Sequence, residues 1–143
     1  MTATATQTTT QTTLKKLTPN LMVEDVNRTI DFYRDLLGFE VQVTVPEQGQ
    51  LDWAMLTRDG VTLMFQRRSS LAADIPALAD APVGGALTFY TEVDGVEALR
   101  AQLDGRVEIV HDLRDTFYGT REFCFRDCNG YLISFSESID EQR

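Results

Sequence analysis

The sequence holds one histidine and two cysteines, Cys124 and Cys128, in 143 residues. That is too few to supply a structural zinc site of Cys and His ligands. Basic residues are also scarce: 13 Lys plus Arg stand against 22 Asp plus Glu, for a formal charge of −9 and a pI near 4.5. Such a chain lacks the basic face that DNA, RNA or anionic lipid requires, so no nucleic-acid or membrane partner is expected. No apolar run approaches the roughly 20 residues that a spanning helix needs. The opening stretch, Met1 to Thr13, is almost entirely Thr, Ala and Gln, without a basic segment followed by an apolar one. No secretory signal is expected there, and the cytoplasm is the expected compartment. In that setting Cys124 and Cys128 are read as free thiols rather than a disulfide. A Ser-His-Asp pattern, a phosphate-cradling glycine loop and a dinucleotide fingerprint are missing as well.

What is present is the composition of an ordinary globular domain, 43% hydrophobic and 24% charged, long enough to bury a substantial core. Residues 1–16 and 138–143 read as tails, and residues 17–137 as one domain made of two similar halves. In the first half, residues 17–67, an apolar stretch from Leu17 to Val23 suits a strand. Asp25 then stands where a helix N-cap belongs, ahead of apolar positions Val26, Ile30, Tyr33 and Leu37, with Gly38 at the C-terminal end. Phe39 to Val45 alternates with period two, and Leu51–Thr57 and Val61–Gln66 read as a hairpin closed by Arg58-Asp59-Gly60. The second half, residues 84–137, repeats the plan: a strand at Leu87–Val93, a capping box from Asp94 and Glu97, a helical face at Val96, Leu99 and Leu103, and three further strands. Residues 68–83, with Pro76 and Pro82, read as a linker with room for one short helical turn at Leu71–Ala73 or Ala77–Ala79. Val23 to Gly60 and Val93 to Gly130 are both 37 residues, so the halves keep a constant offset of 70. That constancy argues for two βαβββ units in an α+β fold, with one domain of accidental symmetry as the alternative.

The residues Val23-Glu24-Asp25, Thr29-Ile30-Asp31-Phe32-Tyr33 and Leu36-Leu37-Gly38-Phe39, with the ending Arg126-Asp127-Cys128-Asn129-Gly130-Tyr131, resemble the vicinal oxygen chelate superfamily of glyoxalases, extradiol dioxygenases and bleomycin-resistance proteins. Cys128 and Asn129 depart from that family's usual Asp-Pro-Asp-Gly turn. The resemblance implies two βαβββ units whose sheets curl into a cup around a small molecule, usually in a homodimer. Strand alternation then sorts side chains by face. Tyr131, Ile133 and Phe135 belong to the core, whereas Leu132, Ser134 and Ser136 face the cup. The offset of 70 adds Thr62, Met64 and Gln66, and the opening strands add Thr18, Asn20, Met22, Thr88, Tyr90 and Glu92.

Enzymes of this superfamily hold a divalent metal with His, Gln or Glu from four strands. The corresponding positions in this chain are Thr18, Met64, Thr88 and Ser134, and a shift of two residues gives Asn20, Gln66, Tyr90 and Ser136. Neither set supplies a carboxylate or imidazole, so no metal and no cofactor is expected. His111 offers a general base or a solvated strand residue. Glu92 offers a cation partner or base, or a rim charge. Glu137 is a further carboxylate near the sheet. Cys124 reads as a reactive thiol or a small core residue. Trp53 reads equally as core or as pocket lining, and Tyr118, beside Gly119, suits the mouth of a pocket.

The reading that follows is a metal-free binding protein of the bleomycin-resistance kind, sequestering a flat or cationic natural product without a catalytic residue. Asn20, Gln66 and Ser134 would hydrogen-bond the ligand, Trp53, Tyr90 and Tyr118 would stack on it, and Glu92 would supply a negative field. The alternatives are a metal-dependent lyase, isomerase or dioxygenase, and a module that uses the cup to bind a partner.

Overall fold

The computed structural model describes residues 11–139; the parts of the expected tails at residues 1–10 and 140–143 lie outside the described residues. In the first half, β1 (Asn20–Val23) leads into α1 (Val26–Leu37), and β2 (Glu40–Val45), β3 (Trp53–Arg58) and β4 (Val61–Arg67) follow. The segment read as a linker carries α2 (Arg68–Asp74) and a 3-10 turn at Pro76–Leu78. The second half runs through β5 (Thr88–Glu92), α3 (Val96–Leu103), β6 (Glu108–Asp115), β7 (Thr120–Arg126) and β8 (Leu132–Ser138). Two four-stranded mixed sheets result, in the orders β1-β4-β3-β2 and β5-β8-β7-β6, so the α+β fold of paired βαβββ units is the one the repeat predicts. The parallel pairs β1–β4 and β5–β8 share one register: Asn20 faces Met64 as Tyr90 faces Ser134, 70 residues on.

Local chemistry explains the two long helices differently. Asp25 is extended, with φ −140°, and its carboxylate accepts the N–H of Arg28 at 3.0 Å. Gly38 closes α1 in the left-handed conformation, φ 72°, where a side chain would be strained. Val26, Thr29, Ile30, Tyr33 and Leu37 form the buried face between these caps. For α3 the capping box at Asp94 and Glu97 does not form. Gly95, with φ 85°, is the cap residue and has no side chain to offer. The free N–H groups of Gly95 and Val96 instead donate to the carboxylate of Glu137 on β8, at 3.1 and 3.0 Å. Those two backbone donors, Val96 first, hold the Glu137 carboxyl below the usual carboxylate range. A partner 41 residues away in sequence thus replaces the local cap.

The two units join on their helix-bearing sides. Core residues of both belong to one cluster, from Leu21, Val23 and Phe65 to Phe123, Phe125 and Phe135. The turn from Asp127 to Tyr131 docks against α1 and β1. Tyr33 Oη donates to Asp127 Oδ2 at 2.6 Å, Asn129 Nδ2 to Thr29 Oγ1 at 3.0 Å, and Tyr131 Oη to the Met22 carbonyl at 2.7 Å. Burial raises the Tyr33 hydroxyl well above the ordinary phenol, with the neighbouring Asp127 adding to the shift. No helix among the described residues is long and apolar enough to cross a membrane.

Candidate functional site

Alternation along β4 and β8 separates two faces. Leu63, Phe65, Ile133 and Phe135 are buried on the helix side. Thr62, Met64, Gln66, Ser134 and Ser136 therefore lie on the opposite faces, the ones that the cup implied by the resemblance would make concave. The ladder places Trp53 opposite Gln66, Met55 opposite Met64, and Thr57 opposite Thr62. In the second sheet Glu122 lies opposite Ser136, Cys124 opposite Ser134, and Thr120 opposite Ser138. Gln66 and Ser136 are 70 apart, so Trp53 and Glu122 hold equivalent places in the two halves. The β7–β8 connection carries one residue more than its counterpart, which sets β7 one position off the sequence repeat.

The two concave faces differ in chemistry at four equivalent places. Trp53, Met55, Met64 and Met22 in the first sheet answer to Glu122, Cys124, Ser134 and Glu92 in the second. Val43 and Val45, about half exposed, extend the first face as the partners of Met55 and Trp53. At the four places the first half is thioether and indole and the second hydroxyl, thiol and carboxylate, while Asn20, Gln66, Thr57 and Thr62 are the polar members of the first face.

The residues singled out from the sequence fall as follows. Trp53 is half-buried on the first concave face. Asn20 and Gln66 lie on that face together, and Asn20 Nδ2 donates to Gln66 Oε1 at 2.8 Å. Gln66 is buried, and its Nε2 donates to Ser70 Oγ and Asp74 Oδ2, both at 2.9 Å. Its amide is thereby spent on α2, which covers that end of the sheet. Ser134 lies beside Thr88, their hydroxyl oxygens 3.4 Å apart. Tyr90 is 52% and Tyr118 50% exposed, and Glu92 is exposed along the same strand as Tyr90. His111 is exposed on β6 opposite Cys124, with both Cys124 and Cys128 free thiols.

Glu122 is the residue that sequence reasoning missed. It is 7% exposed and gathers four hydroxyl groups. Tyr90 Oη donates to its Oε2 at 2.5 Å, Thr120 Oγ1 at 2.8 Å and Ser136 Oγ at 3.2 Å, while Tyr118 Oη donates to Oε1 at 3.0 Å. Burial pushes the carboxyl up, but the four donors outweigh it and leave the group below the usual range. Tyr118 moves the other way, raised by desolvation and by Glu122. A signal for Glu122 existed: it is the only acidic position of inward parity on a strand otherwise reading Thr-Arg-Glu-Phe-Cys-Phe-Arg. Placing it needed the one-residue slip of β7, which the repeat alone does not reveal.

Above this network lies a cavity of about 530 Å³, lined by Tyr90, Glu92, Asp94, Thr120, Ser136 and Glu137 among others. A larger groove of about 960 Å³ lies on the helix side, between Tyr33 and Leu37 of α1 and Ala98, Leu99 and Gln102 of α3. Its lining mixes the core residues Phe39, Leu63, Ile133 and Phe135 with Arg58, Asp59 and Gln102, and it shares Tyr90, Glu92 and Asp94 with the smaller cavity. The convergence of four hydroxyls on Glu122 makes the face under the smaller cavity the candidate site. At the four places where the resemblance implies metal ligands stand Thr18, Met64, Thr88 and Ser134, three hydroxyls and a thioether. That donor set does not fit a divalent ion, which takes carboxylate, carbonyl or imidazole donors. Among the described residues no three His, Cys, Asp or Glu side chains are grouped to hold one.

A family model described as Glyoxalase/Bleomycin resistance protein/Dioxygenase superfamily matches residues 13–135. No curated protein matches the chain. Among solved structures, TioX from Micromonospora sp. ML1 superposes with a TM-score of 0.72 at 22% identity, over 87% of this chain and 98% of that one. A glyoxalase/bleomycin resistance protein/dioxygenase from Nocardioides gives 0.75 at 18% identity, over 94% and 91%. TnmS3, an antibiotic binding protein from Streptomyces sp. CB03234, gives 0.68 at 21% identity, over 90% and 99%.

Proposed function

This chain belongs to the Glyoxalase/Bleomycin resistance protein/Dioxygenase superfamily, and from that premise we propose that it is a metal-free protein that binds and sequesters a flat organic molecule. The observation that carries the reading is the pair of concave faces, one carrying Trp53, Met55 and Met64 and one carrying the Glu122 hydroxyl cluster, with hydroxyl and thioether groups where metal ligands would stand. An antibiotic-binding relative of the same fold supports it. A planar ring system with a polar edge would lie with its apolar body on Trp53, Met55 and Met64. Tyr90 and Tyr118 would take its other side, and Asn20, Ser134 and Glu92 would meet its polar atoms. The same reading assigns the protein to the cytoplasm and takes residues 17–137 as the working domain.

A homodimer belongs to this proposal. The hydrogen bonds that join the units lie around α1 and the turn from Asp127 to Tyr131, away from the concave faces. Each face is a half-cup, and a second copy would supply the other half. Sedimentation equilibrium at micromolar concentration is expected to give twice the chain mass; a monomer would remove the shared cup from the proposal.

Binding is tested by titration calorimetry with planar aromatic compounds, starting from hits in a thermal-shift screen. Trp53→Ala is expected to weaken a planar hit about tenfold, since a good aromatic contact contributes up to ~1.5 kcal/mol. Unchanged affinity would take Trp53 out of the site. Elemental analysis of protein purified without added metal supplies the second check: about one divalent ion per chain that resists chelation would overturn the metal-free reading.

A further inference from the structure

We propose that Glu122 is a positioning residue that makes its end of the polar half-cup a predominantly accepting surface, so that the ligand meets it with N–H or O–H donors such as a protonated amine. The inference rests on the binding function proposed above and specifies the ligand's polar edge. A hydroxyl group has one hydrogen to give and lone pairs to receive with. Tyr90, Tyr118, Thr120 and Ser136 each place their oxygen within hydrogen-bond reach of the same buried carboxylate, which can only accept. The hydrogens of Tyr118 and Thr120 are therefore directed inward to Glu122, while Tyr90 and Ser136, whose oxygens also lie 2.9 Å apart, keep theirs within the cluster, between each other and the carboxylate. The sense continues one shell further out, where Thr116 Oγ1 lies 2.7 Å from Thr120 Oγ1 and receives the Thr120 N–H at 3.1 Å. With Thr120 donating to Glu122, Thr116 is left as the donor of that pair.

What remains toward the 530 Å³ cavity is lone pairs, from Tyr90, Thr120 and Ser136. Of the other polar lining, Ser138 adds one hydroxyl free to donate, and the charged groups agree in sign. Glu92 and Asp94 are acceptors, Glu137 accepts the α3 amides, and no Lys or Arg lines the cavity among the described residues. Arg114 stands opposite Glu122 on β6 but is exposed, is not part of the cavity lining and makes no ion pair with Glu122. The carboxylate itself lies below the lining, so it acts through the hydroxyls rather than by touching the ligand. The pKa directions fit: the carboxyl is held low, and the Tyr118 phenol is held high and protonated.

The test uses two planar probes on the full chain, 9-aminoacridine as an N–H donor cation and anthraquinone-2-sulfonate as an acceptor anion. Calorimetry is run at high salt so that the overall negative charge is screened. The wild type is expected to prefer the donor probe by tenfold or more. Glu122→Gln, whose amide can donate and so turn hydroxyl hydrogens outward, is expected to bring that ratio to within about threefold. Asp31→Asn, the same charge change on the exposed side of α1, is expected to leave the ratio alone. Tyr90→Phe, which keeps the carboxylate and the ring, is expected to weaken the donor probe severalfold and spare the acceptor, which covers the case that Glu122→Gln folds poorly. Equal binding of both probes by the wild type, or an unchanged ratio in Glu122→Gln and Tyr90→Phe, overturns the inference while leaving the binding function standing. Binding of neither probe overturns both. As a ligand-free readout, the ultraviolet titration of Tyr118, identified by subtracting Tyr118→Phe, is expected to shift toward the ordinary phenol in Glu122→Gln; no shift means Glu122 does not hold that hydroxyl.

Discussion

Asp127→Ala is expected to destabilise the protein by about 3 kcal/mol, read by urea unfolding at pH 7. Asp127 is 6% exposed, and three donors converge on its carboxylate. Tyr33 Oη reaches Oδ2 at 2.6 Å, and the backbone N–H groups of Asn129 and Tyr131 reach Oδ1, each at 2.8 Å. Removing the carboxylate strands all three, and each buried unsatisfied donor costs about 1–3 kcal/mol. Against this stands the cost of holding a charge away from water, visible in a carboxyl raised above its usual range by burial despite its hydrogen bonds. Three orphaned donors outweigh that relief. The same pair of terms sets the pH dependence. The folded-state carboxyl titrates above the unfolded one, near roughly 3.9, so its contribution is whole below that pH and declines as pH rises through the folded value. The stability gap between wild type and Asp127→Asn is therefore expected to narrow from pH 3.5 to pH 7. A gap that widens would mean the hydrogen bonds, not burial, dominate this carboxyl.

Phe125→Ala is expected to cost about 3–5 kcal/mol and lower the melting temperature by roughly 10 °C or more in a scanning calorimeter. Phe125 is fully buried on the helix side of β7, with its ring centroid 5.8 Å from that of Phe123 and 5.6 Å from that of Phe135. That aromatic layer backs the part of the sheet whose other face carries Glu122, Cys124, Ser134 and Ser136. Loss of the ring leaves a cavity whose walls are strands on both sides, with little freedom to collapse. Phe125→Leu, which fills most of the volume, is expected to recover more than half of the loss. Equal losses for both would place the cost in aromatic geometry rather than in packing.

Much of the fold was legible because the signals are local. Asp25 and Gly38 bracket α1 with chemistry that acts within one turn, and the apolar spacing of Val26, Ile30, Tyr33 and Leu37 needs only a helical period. The internal offset of 70 reappears in the structure as the shared register of the β1–β4 and β5–β8 pairs. The α3 cap was misread for the same reason that α1 was read well: Glu137 approaches from β8, and no local pattern announces a partner so far along the chain. Gln66 was legible as an inward amide, but its engagement by Ser70 and Asp74 depends on α2 folding across the sheet.

By itself, the amino-acid order determined the two-fold plan of the chain, the helices α1 and α3, the faces of β1, β4, β5 and β8, and which residue types stand at the four implied metal positions. Periodicity and spacing carry that information, because each is set by backbone geometry over a few residues. Only the tertiary structure decided that Trp53 and Glu122 are counterparts, that four hydroxyls from β5, β7, β8 and the turn before β7 meet at one carboxylate, and that Asp127 ties the two units together. Those facts depend on a one-residue slip between strands and on side chains brought together from up to 94 positions apart. Register and long-range convergence are properties of packed sheets, and they appear only once the sheets have formed.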